Sequence, residues 1–165
     1  MIRHARHADH AAIREIVAAA FGQADEADLV ERLRAAGDVM FELVEEENGE
    51  VVGHILYSRL WADSVNLYAA LAPLAVRPDR QRSGVGKRLT AASIETAKDF
   101  GAHAVIVLGH PEYYPKFGFS AQAAAQVKSP YSGSPAFMAL ALEDGALDGP
   151  LLVAYPDAFG GGEDH

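Results

Sequence analysis

Five cations, Arg77, Arg80, Arg82, Lys87 and Arg88, fall within twelve residues that hold one acid, Asp79. The whole chain has a formal charge of −9, so this basic window runs against the general balance. Gly84 and Gly86 lie inside it. The chemistry this pattern offers is the binding of an anion. Glycines without a Cβ let backbone amides approach an oxygen closely, and cations raise its local concentration.

The flanking residues define how that chemistry must be positioned. Residues 65 to 76 read as an apolar strand that enters the basic turn, and 84 to 100 read as an amphipathic helix that leaves it. The helix start presents unpaired N–H groups to the same anion. Val85, Leu89, Ala92, Thr96 and Phe100 form the expected inward stripe, and Gly101 is the expected stop. Two phosphate motifs are excluded. A Walker loop would need a glycine at residue 81 and Ser or Thr directly after Lys87. A dinucleotide fingerprint would need glycine where Leu89 stands.

Gln81-Arg82-Ser83-Gly84-Val85-Gly86 resembles the Q/R-x-x-G-x-G/A acetyl-CoA signature of the GNAT family of N-acetyltransferases. Val76-Arg77-Pro78 before it and Leu89 after it are similar to that family as well. The resemblance implies that backbone amides of Gln81, Arg82, Ser83, Gly84, Val85, Gly86 and Lys87 hold the pyrophosphate of coenzyme A. It also implies a bulged, splayed strand whose Leu74, Ala75 and Val76 pair with the pantetheine arm and polarise the thioester carbonyl.

A second stretch, Gly109-His110-Pro111-Glu112-Tyr113-Tyr114-Pro115-Lys116-Phe117-Gly118-Phe119, resembles the family's Tyr-x-x-x-Gly-Phe segment. Tyr114 then takes the position of the general-acid tyrosine, with Tyr113 as the rival. The fuller form, with the residues from Gly149 to Phe159, resembles a bacterial subgroup of mostly predicted acetyltransferases. Val107 departs from an asparagine common in the family. Pro115 disfavours helical angles at Tyr114, so any helix there is short.

The resemblance implies an α/β (α+β) fold with a mixed, largely antiparallel twisted sheet flanked by helices. It implies transfer of an acetyl group from acetyl-CoA, as cosubstrate, to a primary amine by direct attack in a ternary complex. The alternatives are a non-catalytic acyl-CoA sensor and an acyltransferase using a different acyl-CoA. The base is open among Glu112, His54, Glu26 and an ordered water. The acceptor is a small-molecule or peptide amine, and many members of the family are homodimers.

Composition narrows the classes further. At 165 residues, half of them apolar, the chain reads as one globular domain over 1 to 159 with a disordered tail from 160 to 165. With no cysteine there is neither a disulfide nor a thiolate metal site nor a cysteine nucleophile. The acidic balance argues against nucleic acid, and no apolar run is long enough for a bilayer. A cytoplasmic protein is expected. His4, His7 and His10 straddle a strand-to-helix boundary, so convergence on a metal is not expected.

The remaining elements follow from periodicity. Residues 2 to 6 read as a strand, Asp9 as an N-cap and Ile13, Ile16, Val17, Ala20 and Phe21 as one helical face ending at Gly22. A second helix over 25 to 36 turns Leu29, Leu33 and Ala36 inward. It presents Glu26, Asp28 and Glu31, which the resemblance places near an amine. Strands over 39 to 47 and 50 to 61 flank the Asn48-Gly49 hairpin signal. Residues 104 to 108 read as a buried strand, and 136 to 142 and 151 to 155 as the last strands.

Overall fold

The computed structural model describes residues 1–62 and 66–160. The expected strand start at residue 65 and the expected disordered tail beyond Gly160 lie outside the described residues. The elements in order are β1 (Ile2–His4), α1 (His10–Phe21), α2 (Asp25–Ala36), β2 (Val39–Glu47), β3 (Glu50–Leu60), β4 (Tyr68–Val76), α3 (Val85–Asp99), β5 (Ala104–Leu108), β6 (Val127–Lys128), β7 (Phe137–Ala141) and β8 (Leu151–Leu152). One mixed sheet has the hydrogen-bonded order β1-β2-β3-β4-β5-β7, and β6 pairs with β8 in a short parallel ribbon. β4 and β5 are parallel, as a strand, crossover helix and strand require, whereas β1–β2 and β5–β7 are antiparallel.

The described residues group into two units. The first comprises Met1–Tyr57 and Ala72–Glu95, the second Ser58–Leu71 and the chain from Thr96 onward. In the first unit Asn48 and Gly49 both have positive φ, 51° and 81°, which is what a tight hairpin turn needs. Its returning strand β3 is buried on both faces from Val52 to Tyr57, so apolar and polar residues do not alternate there. Ile13, Ile16 and Val17 of α1 pack with Ala27, Val44 and Ala75.

Three details depart from the sequence reading. Asp9 holds the N-cap position of α1 as expected, but its side chain makes no capping hydrogen bond there. Its carboxylate instead accepts from the Arg6 amide at 2.7 Å and from two nitrogens of Arg3, at 2.7 and 3.0 Å. On α2 the buried residues are Ala27, Val30 and Leu33, while Ala36 is exposed. On α3 the buried positions include Val85, Leu89, Ser93 and Ala97, and Phe100 is 49% exposed. The inward face is therefore rotated from the apolar stripe. Ser93 can be buried because its hydroxyl donates to the Thr90 carbonyl and shares a 2.9 Å hydrogen bond with Tyr57.

In the second unit β5 is buried from Ala104 to Val107 and Leu108 emerges half-exposed. Its β4 partners are Tyr68 to Leu71, register Tyr68↔Ala104 through Leu71↔Val107. Leu60, Tyr68, Ala70, Ile106, Phe137 and Val153 form its core.

Candidate functional site

The basic turn is built in the first unit. β4 ends at Val76 with Leu74 and Ala75 just before it, Ala75 buried. The Arg77 amide donates to the Val52 carbonyl at 2.8 Å, which ties the strand exit to β3. A short 3-10 turn, Pro78–Arg80, follows. The Gln81 side-chain amide reaches back to the Val76 carbonyl at 3.2 Å, and the Ser83 hydroxyl donates to the Arg80 carbonyl. Arg82 sits at φ 65° and Gly84 at φ 92°. Arg82 is a non-glycine residue in left-handed space, a sparsely populated conformation that often marks functional turns.

The Arg88 amide bonds to the Gly84 carbonyl at 3.0 Å and so closes the first turn of α3. The amides of Gly84, Val85, Gly86 and Lys87 precede that bond and have no carbonyl within the helix to meet. The candidate residues Gln81, Arg82, Ser83 and Gly84 thus form the turn behind Val76, and Val85, Gly86 and Lys87 continue from it as the first residues of α3.

The helix is seated on a residue the sequence reading passed over. A Cβ on Gly53 would lie 2.6 Å from Val85 Cγ1 and 2.8 Å from Leu89 Cδ1. Only glycine on β3 lets α3 come so close. The available signal was a glycine inside an otherwise bulky strand.

The charge of the turn is smaller than its sequence suggests. Arg77 pairs with Asp79 at 2.6 Å and with Glu50 at 3.8 Å. Arg80 pairs with Glu47 at 2.5 Å. Arg88 makes two bonds to the buried Glu45, at 3.0 and 2.6 Å. The Arg88 hydrogen bonds, against the cost of burial, hold the Glu45 carboxyl below its ordinary range. Acids of the β2–β3 hairpin therefore engage three of the five cations. Arg82 and Lys87 are exposed and form no ion pair among the described residues.

Tyr114 belongs to the second unit. It opens the 3-10 turn Tyr114–Phe117, kept short by Pro115 and ended by Gly118 at φ 100°. Its ring is buried, edge-on to Tyr113 at 4.9 Å and to Phe119 at 5.7 Å between centroids. Burial, and to a smaller extent Tyr113, pushes its hydroxyl well above the ordinary phenol range, so it is protonated at neutral pH. Tyr113 is only partly buried and rests on Phe117 at 5.2 Å.

The candidate bases are dispersed. His54 is fully buried, and its Nε2 lies 2.8 Å from Glu42 Oε1. Arg34 grips the same carboxylate through Nε at 2.9 Å and Nη2 at 2.8 Å. Burial would raise Glu42, but the bonds from Arg34 and His54 outweigh it and hold the acid at about 2. An ionised Glu42 requires a proton on His54 Nε2, which leaves Nδ1, buried and without a partner among the described residues, as a lone pair. Burial also depresses the histidine, more than Glu42 raises it. His54 is thus part of an internal brace joining α2 to β2 and β3. Glu26 accepts from Gln23 at 3.1 Å, and Glu112 is exposed. Asp28 and Glu31 pair with Arg14 at 2.9 and 3.1 Å. His7 and His10 meet edge to face at 4.9 Å, whereas His4 rests on Phe41.

The acetyltransferase (GNAT) family model matches residues 10–119, more than half of the chain. The protein therefore belongs to the GNAT family of acyltransferases. It is 42% identical over 117 residues to the uncharacterized N-acetyltransferase YjhQ of Escherichia coli K12, covering 67% of this chain and 64% of that protein, just under two thirds of its length. Identity to the uncharacterized N-acetyltransferase YhbS of the same strain is 33% over 138 residues, covering 81% of this chain and 83% of that one. The crystal structure of E. coli YhbS in complex with CoA is similar at TM-score 0.89 and 30% identity, over 97% of this chain and 91% of that one. A GNAT acetyltransferase from Brucella melitensis in complex with acetyl-CoA is similar at TM-score 0.77 and 32% identity, over 96% and 97%. Among the described residues no helix is long and apolar enough to cross a membrane.

Proposed function

We propose that the protein is an N-acetyltransferase that moves an acetyl group from acetyl-CoA to a primary amine by direct attack. The observation that carries this reading is the turn after β4. Its left-handed Arg82 and Gly84, the start of α3 at Val85, and the exposed Arg82 and Lys87, which form no ion pair among the described residues, fit a pyrophosphate. The CoA and acetyl-CoA complexes of the two similar structures support the same ligand.

The coenzyme supplies a thioester carbonyl. In this reading Leu74, Ala75 and Val76 offer backbone amides to the arm and to that carbonyl, where oriented donors lower the barrier. A C–N bond forms to the amine and the C–S bond breaks. The amine must be neutral to attack. With an ordinary pKa of about 10.4, only about one part in 10³ is neutral at pH 7, so a base or water path takes its proton. Tyr114 retains its proton at neutral pH and supplies it to the departing sulfur.

The test is release of CoA thiol from acetyl-CoA across a panel of small-molecule and peptide primary amines. The chain has no cysteine, so a thiol reagent reads only the coenzyme. Turnover with an amine supports the enzyme reading. Tyr114→Phe should then lower kcat by about 10² or more, with acetyl-CoA affinity unchanged. An unchanged kcat, where chemistry limits the rate, would remove Tyr114 from the acid role.

A further inference from the structure

Gly109 follows β5 directly and is not one of the glycines with positive φ, so its backbone does not require glycine. Space does. A Cβ built on Gly109 would overlap Cε2 of the Tyr114 ring, and it would lie 2.9 Å from Cδ2 and 3.4 Å from Cζ. The Tyr114 ring therefore lies directly against the backbone of residue 109. That backbone is fixed, since the Gly109 amide donates to the Ala136 carbonyl at 2.9 Å, beside the antiparallel β5–β7 pairing. The next carbonyl in the chain, that of His110, accepts the amides of both Tyr113 (3.1 Å) and Tyr114 (3.3 Å).

The other sides of the ring are defined as well. Tyr113 and Phe119 meet it edge-on, and Gly118, at φ 100° and with Leu140 Cδ1 3.1 Å from where its Cβ would stand, closes the turn beneath. Here the ring is held on several sides and bears on main chain, which cannot yield as a side-chain end does.

We infer that Gly109 is a positioning residue, a backbone platform that fixes the direction of the Tyr114 hydroxyl. This rests on the reading of Tyr114 as the acid. A methyl at 109 would tilt the ring and move the hydroxyl, and a catalytic group displaced by about 1 Å can lose on the order of 10² in rate.

The experiment uses the full chain labelled at tyrosine 13Cζ, with the Tyr114 signal assigned by its loss in Tyr114→Phe. In Gly109→Ala the Tyr114 signal should shift, while Tyr57, Tyr68, Tyr131 and Tyr155 hold their places. A Tyr114 signal that does not move overturns the inference. Thiol release from acetyl-CoA is measured in parallel, with the best amine of the panel or with water as acceptor. Gly109→Ala should lose roughly as much rate as Tyr114→Phe, with acetyl-CoA affinity unchanged, and should cost no more than about twofold on the Tyr114→Phe background. An equal loss on both backgrounds would show that Gly109 acts elsewhere and overturns the inference. Should Tyr114→Phe itself leave the rate unchanged, the acid reading fails alone, and the labelled spectra still decide what Gly109 positions. If Gly109→Ala does not fold, adding Tyr114→Ala should restore folding by removing the ring. Failure to restore it contradicts the overlap.

Discussion

Gly53→Ala probes how the sequence lets α3 reach the sheet. The new methyl would stand 2.6 Å from Val85 Cγ1 and 2.8 Å from Leu89 Cδ1, both well inside contact distance. Leu89 can swing a terminal methyl aside. Val85 is β-branched and held to one rotamer in a helix, so it resists. Overpacking of this kind costs about 1–3 kcal/mol, offset in part by the entropy an alanine removes from the unfolded chain, about 0.4–1 kcal/mol. For a chain of this length the net should lower Tm by about 2–8 °C. Val85→Ala alone removes two buried methyl groups, and at about 0.8 kcal/mol each should cost roughly 2 kcal/mol. In the double variant the methyl at 53 enters the space left by Val85. The double should then be more stable than the sum of the singles by about 1–2 kcal/mol. Urea unfolding of the four proteins measures this directly. Additive costs would refute the claim that Gly53 exists to admit Val85.

Acid should act through the Arg34–Glu42–His54 brace. His54 is depressed in the fold, so below its ordinary value of 6.5 the unfolded chain binds the extra proton and stability falls with pH. His54→Asn should flatten the urea midpoint between pH 6.5 and 5, and an unchanged slope would contradict the brace. Glu42 contributes stability above its ordinary 4.5, and this is lost as pH falls toward its folded value of about 2, at most roughly 3 kcal/mol. Glu47→Gln frees Arg80 of its 2.5 Å partner and should tighten acetyl-CoA binding by about 2–5-fold at low salt, the gain fading at high salt. Equal titration curves for variant and wild type would argue that the hairpin acids do not tune the turn.

Much of this was legible locally. Asn48-Gly49 with its flanking strands gives the β2–β3 hairpin its bounds, and Gly22 and Gly37, at φ 71° and 75°, end α1 and α2 where expected. The strand, turn and helix around Gly84 were legible because an apolar run, a glycine-bearing turn and an amphipathic stretch follow one another locally, as β4 and α3 do. What escaped depends on residues distant in sequence. The window read as basic because Glu45, Glu47 and Glu50 lie 27 to 43 residues before the arginines they pair with. The inward face of α3 differs from the expected stripe because it carries Ile94 and Ala97 together with Ser93, whose burial is made tolerable by Tyr57 of β3. Gly53 and Gly109 matter for what touches them, and a sequence does not print contacts.

The central claim is that the turn after β4 holds the coenzyme. Thermal unfolding with acetyl-CoA, with CoA, ATP and NAD for comparison, tests it most directly on the wild type and on Gly84→Glu. At about 100 times Kd a ligand adds about 2.7 kcal/mol, a shift of several degrees. A shift in the wild type with acetyl-CoA and CoA alone, lost in a folded Gly84→Glu protein, is the predicted result. No shift with either coenzyme, or a shift that survives Gly84→Glu, would contradict it.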